Sequence, residues 1–261
     1  MNGLIKLSLF LIANNSMCNT FISGATGKVG RILVEKVLED SDLILSGGSA
    51  SKDSKNIGKD LGALIGKGSL GINIVDKITI EHKVDLIIDF STPQNSIEIL
   101  RFACKEDIPV VLGTTGFNLN ELTEIEKISK EIPLLIAPNT SMGIAIFKKL
   151  LDNSKDVLKV ASSLEINEKH HKGKKDSPSG TAINIKAQLT DILSSEDIQI
   201  VSVREGDSPG EHSLKLSFED ETIEISHKVF NRSIFAKGAI LAGKWLKNKQ
   251  PGSYSMKDIY S

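Results

Sequence analysis

The chain has 261 residues, 40% of them hydrophobic and 25% charged, so it can bury a sizeable core and is long enough for two domains. Lysine plus arginine number 32 against 33 acidic residues, a balance that gives no overall attraction to nucleic acid or to an anionic membrane surface. Cys18 and Cys104 stand far apart without metal-ligand spacing, and no apolar run reaches the ~18 residues of a membrane span, which argues against a disulfide framework, structural zinc and a membrane partner and fits a cytoplasmic protein.

Residues 1–16 include an apolar run, 7–13, after the single Lys6, but no small-residue cleavage site follows it. They are set apart as an extension ahead of Met17, either an upstream start or a loose tail. From residue 20 the pattern becomes regular. Residues 20–24 read as a strand that runs into Gly24-Ala-Thr-Gly-Lys-Val-Gly30, and Val29, Ile32, Leu33 and Val37 then mark a helical stripe. This strand, glycine turn and helix form a dinucleotide-binding candidate, in which Gly24, Ala25, Thr26, Gly27, Lys28 and Val29 bring backbone up to a pyrophosphate at a helix start. The spacing is GxxGxxG rather than GxGxxG, and a plain tight turn is its bland alternative.

A second strand begins at Leu43. No acid stands at its end to hold a ribose 2'-hydroxyl; Ser51, Lys52 and Lys55 do stand there, with Asp53 among them, so the loop leaves NADPH as well as NADH admissible. Residues 56–71 read as loop with one short helical turn. Continuous apolar strands follow at 84–90, 109–112 and 132–137, separated by helical stripes at 97–104 and 122–128. This alternation predicts a doubly wound α/β domain of the Rossmann type, with its ligand at the C-terminal strand ends: the glycine turn, 89–92, 113–116 and 137–140.

From Ser141 the pattern changes. A helix at 142–151 precedes strands at 160–166, 198–203, 213–218 and 222–229, several of which alternate apolar and polar residues as an open sheet with one solvated or partner-covered face does. A last helix carries Ile234, Ala236, Ile240, Leu241 and Trp245. The expected organisation is a dinucleotide-binding domain of residues 17–140 and 232–261, and an α+β substrate and oligomerisation domain of 141–231 with an open mixed sheet.

Between the first two strands of that second domain lies Glu168-Lys-His-His-Lys-Gly-Lys-Lys-Asp-Ser-Pro-Ser-Gly-Thr-Ala182. Ser179-Gly180-Thr181 opens a helix whose free N–H groups suit a carboxylate, Lys172, Lys174 and Lys175 add positive charge, and His170 and His171 exchange protons near neutral pH. A metal site reads poorly, because neighbouring ammonium groups repel a cation, and a solvated basic loop is the bland reading of any one residue alone.

The run His-His-x-x-Lys-x-Asp-x-Pro-Ser-Gly-Thr-Ala resembles the signature of the 4-hydroxy-tetrahydrodipicolinate reductase (dihydrodipicolinate reductase) family. The glycine loop, Asp89-Phe-Ser-Thr-Pro93, Gly113-Thr-Thr-Gly116, Ala137-Pro-Asn-Thr-Ser141 and Arg204-x-Gly-x-x-x-Gly-x-His212 match that family in order. The resemblance implies NAD(P)H-dependent reduction of a cyclic dicarboxylate imine in lysine (diaminopimelate) biosynthesis, in a homotetramer. It implies His170 and Lys174 as proton-handling residues, and His171, Ser179, Gly180 and Thr181 as substrate contacts. Gly113, Thr114 and Thr115, with Ala137, Pro138, Asn139 and Thr140, would line the nicotinamide half of the cofactor. Lys175 departs from the family by replacing an apolar residue, and must find solvent or Asp176. Another NAD(P)-dependent oxidoreductase of amino-acid-like imines would share the fold but not this long motif. A nucleotide-sensing regulator would have no need of His170 and Lys174.

Overall fold

The computed structural model describes residues 17–194 and 197–260, so the extension 1–16 lies outside the described residues. Along the chain run β1 (Cys18–Ser23), α1 (Lys28–Leu38), β2 (Leu43–Ser49), α2 (Leu61–Leu64), β3 (Ile74–Val75), β4 (Leu86–Asp89), α3 (Pro93–Glu106), β5 (Val110–Leu112), α4 (Leu119–Ile128) and β6 (Pro133–Ile136). Then come α5 (Met142–Asn153), α6 (Lys155–Leu158), β7 (Ser163–His170), α7 (Gly180–Leu193), β8 (Gln199–Arg204), β9 (Glu211–Ser217), β10 (Thr222–Lys228), α8 (Ser233–Leu246) and β11 (Gly252–Tyr254).

The first sheet is parallel throughout, in the order β3-β2-β1-β4-β5-β6-β11. Leu86, Ile87 and Ile88 of β4 are fully buried, because helices cover both faces. Leu33, Val34, Ala239 and Ala242 of α1 and α8 form one side of the core, and Ile97, Leu100, Ile125 and Ile128 of α3 and α4 the other. Chain direction across the sheet reverses between β1 and β4, and the crevice above their C-terminal ends is where such sheets bind nucleotides.

The second sheet, β10-β9-β7-β8, is mixed: β7 and β8 are parallel, the other pairs antiparallel. Phe147 and Leu151 of α5, with Ile185 and Leu189 of α7, pack on its inner face against Ile166, Leu214 and Leu216. Val201 and Val203 are exposed on the opposite face.

Several strand boundaries differ from the sequence reading. β7 begins at Ser163 and runs to His170, not 160–166; its inward positions continue through Glu168 and His170, so the apolar signal stops while the strand does not. β2 extends through Gly47 and Gly48, where side chains would strike Phe21 and Ala25. β3 and β11 carry too few residues to show a period, and β11 completes the first sheet by pairing with β6.

Candidate active site

Gly24 has φ +78°, and a Cβ there would lie 2.2 Å from the Phe90 carbonyl oxygen; at Gly30 a Cβ would lie 2.1 Å from the Gly24 carbonyl oxygen. Only glycine allows both approaches, so the turn folds flat over the ends of β1 and β4. Ala25 is buried and Val29 packs on the core, whereas Thr26 is half-buried and Gly27 and Lys28 are exposed. Gly27 is the N-cap of α1 and no side chain caps that helix, so its first N–H groups are free to meet an anion. A dinucleotide pyrophosphate fits the uncapped N–H groups at this helix start. Ser51 and Lys52 are exposed in the turn after β2.

Beneath the crevice sits Asp89, fully buried at the end of β4. It accepts hydrogen bonds from Ser91 Oγ (2.6 Å), Ser96 Oγ (2.5 Å) and Thr114 Oγ1 (2.7 Å), and Thr114 Oγ1 accepts from the Ser91 N–H (2.9 Å). Burial pushes its carboxyl up, with these hydroxyls and Ser23 pulling the other way. The hub ties the loops after β1, β4 and β5 together. Thr114 therefore turns its side chain inward, and Gly113 packs against the Phe90 ring, where a Cβ would lie 2.4 Å from a ring carbon. Thr140 also faces inward: its Oγ1 donates to the Phe235 carbonyl oxygen (2.7 Å), and α8 approaches so closely that a Cβ at Gly238 would lie 1.7 Å from the Thr140 carbonyl oxygen.

Thr115, Ala137, Pro138 and Asn139 form one wall of a cleft of about 560 Å³; His170, Lys174, Ser179, Gly180 and Thr181 form the other. Asn139 Nδ2 donates to Thr181 Oγ1 across it (3.0 Å). Nine of the residues singled out in the sequence thus line the cleft, while Thr114 and Thr140 turn away from it. His171 is not among its lining residues; its N–H donates to the Ser208 carbonyl oxygen (3.0 Å).

His170 ends β7 and is buried. Its Nδ1 is bonded to Glu168 Oε2, which leaves Nε2 as the atom that exchanges protons with the cleft. Glu168 Oε1 accepts from Arg204 Nη2 (2.7 Å) and from the Ser179 N–H (3.2 Å). Burial disfavours its charge, yet hydrogen bonds from Arg204, Ser202 and His170 outweigh that and hold the carboxyl below the ordinary range. Burial also lowers His170, and Glu168 opposes it. Ser179 Oγ caps α7 by accepting from the Ala182 N–H (3.2 Å) and meets His212 Nε2 (3.1 Å). Lys174 Nζ lies 2.8 Å from Asp176 Oδ1, so Asp176 serves Lys174, while Lys175 is exposed to solvent.

Glu168, His170 and His212 converge closely enough to resemble a metal ligand set. Both Glu168 oxygens are already hydrogen-bonded, and one of them carries the Arg204 guanidinium, whose fixed charge opposes a cation. The arrangement suits proton handling better than metal binding. Burial, reinforced by His170, pushes the His212 imidazole to about 4. Its stabilisation is complete above the unfolded value near 6.5 and is lost as pH falls towards 4, a change of up to roughly 3 kcal/mol. Urea unfolding at pH 7 and pH 5 should show the loss, and an NMR titration placing folded His212 near 6.5 would remove this account.

Sequence reasoning named Glu168, Arg204 and His212 only as members of a motif or loop. Their signal was the inward alternation of β7, Ile166 to Glu168 to His170, carried on by polar residues.

The family profile described as "Dihydrodipicolinate reductase, N-terminus" matches residues 18–140, and "Dihydrodipicolinate reductase, C-terminus" matches 143–260. The 4-hydroxy-tetrahydrodipicolinate reductase of Chromohalobacter salexigens is 34% identical over 264 residues, covering 93% of this chain and 98% of that one. That of Hahella chejuensis is 33% identical over 263, with the same coverage. The solved dipicolinate-bound dihydrodipicolinate reductase of Paenisporosarcina sp. TG-14 superposes with a TM-score of 0.78 at 20% identity, over 94% of this chain and all of that one, a likeness of fold. Profiles spanning almost every described residue, and relatives of the same length at this identity, show that the chain belongs to the dihydrodipicolinate reductase family.

Proposed function

We propose that the protein reduces 4-hydroxy-tetrahydrodipicolinate to tetrahydrodipicolinate with release of water, a step of lysine and diaminopimelate biosynthesis. The observation that carries this is the meeting of His170, Lys174 and the start of α7 across one cleft from Thr115, Ala137 and Asn139. A reduced nicotinamide, placed against Ala137 to Asn139 with its pyrophosphate at Gly24 to Lys28, brings hydride donation.

The chain's own residues do the rest. The Gly180 and Thr181 N–H groups and the Lys174 ammonium bind a substrate carboxylate at the helix start. Lys174 gives a proton to the ring as electron density builds on it, and His170 Nε2 takes the ring proton lost as the hydroxyl departs and passes it to that hydroxyl, which leaves as water. Glu168 fixes the His170 tautomer. Asn139 and the closely packed Thr140 turn hold the nicotinamide wall in place, and chain crossings near Ser141 and Asn231 serve as hinges between the proposed domains, 17–140 with 232–261 and 141–231. Val201 and Val203, exposed on the outer face of the second sheet, support the reading that these faces pair in a homotetramer. The protein is read as cytoplasmic; among the described residues no helix is long and apolar enough to cross a membrane.

Absorbance of NADPH, followed with freshly generated substrate, tests the activity: no oxidation above the substrate-free rate would reject it. For the cofactor we infer dual use, with NADPH bound several-fold tighter. The turn after β2 presents exposed Lys52 and Lys55, and exposed charge pairs contribute only about 0.2 to 1 kcal/mol each, part of which Asp53 offsets. The preference should therefore narrow as salt rises. Titrating both nucleotides at low and high salt checks it; tighter NADH, or an NADPH advantage indifferent to salt, contradicts it.

A further inference from the structure

We infer that the Asp176 carboxylate is an internal stand-in for one substrate carboxylate, held by the groups that receive the substrate and displaced when it arrives. The inference rests on the reading that this cleft takes a dicarboxylate.

The donors around the start of α7 can be counted. The Ser179 N–H is taken by Glu168, and the Ser179 hydroxyl is taken by the Ala182 N–H and His212. What remains for an incoming anion on this wall is Lys174 together with the N–H groups of Gly180 and Thr181. Asp176 already pairs with the first: its Oδ1 lies 2.8 Å from Lys174 Nζ, and that ammonium holds its carboxyl below the ordinary range. Both residues line the same cleft as Gly180 and Thr181. A second carboxylate brought to the same ammonium repels the first, so substrate binding weakens the hold on Asp176 and favours its departure.

The structure permits that exchange. The Asp176 backbone is anchored, because Arg204 Nη2 donates to its carbonyl oxygen (2.7 Å), while its side chain is 57% exposed and can rotate into solvent. An ion pair this exposed contributes only about 0.2 to 1 kcal/mol, a small barrier to replacement by a dianion. Until then Asp176 keeps the Lys174 ammonium aimed into the cleft and neutralised, so that a weakly bound monoanion must compete for it.

Calorimetric titration of the full chain, saturated with NADPH, with pyridine-2,6-dicarboxylate tests this. Asp176→Asn should bind the dicarboxylate more tightly than the unaltered protein, by up to about fivefold, because the internal competitor is gone. Asp176→Ala should change in the same direction, which guards against an effect peculiar to the amide. Equal or weaker binding in both variants would overturn the inference and make Asp176 a permanent partner of Lys174. If the unaltered protein binds no dicarboxylate, the reading of the cleft itself fails and the inference falls with it.

Discussion

Replacement of Lys174 by Met should lower turnover by about 10²-fold or more, the usual scale for a lost general acid, while NADPH still binds. Lys174 lines the cleft, its ammonium opposite the Thr115 and Ala137 wall, and the acidic side chain paired with it stands on the same loop. Removing it takes away both the proposed proton donor and a positive charge at the proposed carboxylate site, so the Michaelis constant should rise as well. The proposed nucleotide cradle at Gly24 to Lys28 lies between β1 and α1 and shares no residue with this loop. Steady-state kinetics paired with NADPH fluorescence titration separates these terms. Turnover within a fewfold of the unaltered protein would remove Lys174 from the chemistry; loss of NADPH binding would mean that the fold had been damaged instead.

Glu168→Gln should cost both stability and turnover. The carboxylate is completely buried and is bonded to His170, Arg204 and the Ser179 N–H at once. Removing its charge leaves the largely buried Arg204 without its carboxylate, a change that typically costs about 3 to 5 kcal/mol. The amide can also offer an N–H to His170 Nδ1 and so favour the wrong tautomer, with the proton on Nε2. Glu168 has a folded carboxyl value below its unfolded one, so its contribution is complete above the unfolded value of about 4.5 and is lost as pH falls through the lower, folded value. The variant should therefore lose stability at pH 7 and show a flatter dependence on acid. Chemical unfolding at pH 7 and pH 4 checks the first part, and the pH profile of turnover, which a purely structural role would leave unchanged in shape, checks the second.

Much of the nucleotide half was legible in the chain itself. A parallel sheet buried on both faces demands unbroken apolar strands, and residues 84–90, 109–112 and 132–137 supply them; a glycine turn with φ above zero demands glycine, and Gly24 supplies it. The motif from His170 to Ala182 carried the family, because proton donors, cations and a helix start cannot be scattered and still act on one small anion. Other features left no local trace. Asp89 looks in sequence like any strand-end acid, and only the folded chain brings Ser91, Ser96 and Thr114 onto it.

The sequence by itself determined the doubly wound domain, the glycine cradle, the mixed second sheet and the cluster at His170 and Lys174, since each follows from periodicity or from neighbours along the chain. Tertiary structure alone decided that Glu168 anchors His170, that Arg204 and His212 enclose it, that Thr140 turns away from the cleft, and that Asp176 rather than solvent meets Lys174. Glu168 and Arg204 lie on neighbouring strands, with Arg204 opposite His170, and Glu168 stands opposite His212 on a third, so their meeting depends on strand pairing between residues more than thirty positions apart. Hydrophobic periodicity reports which face of a strand is buried by its apolar residues, and it falls silent where that face is completed by charges that satisfy one another.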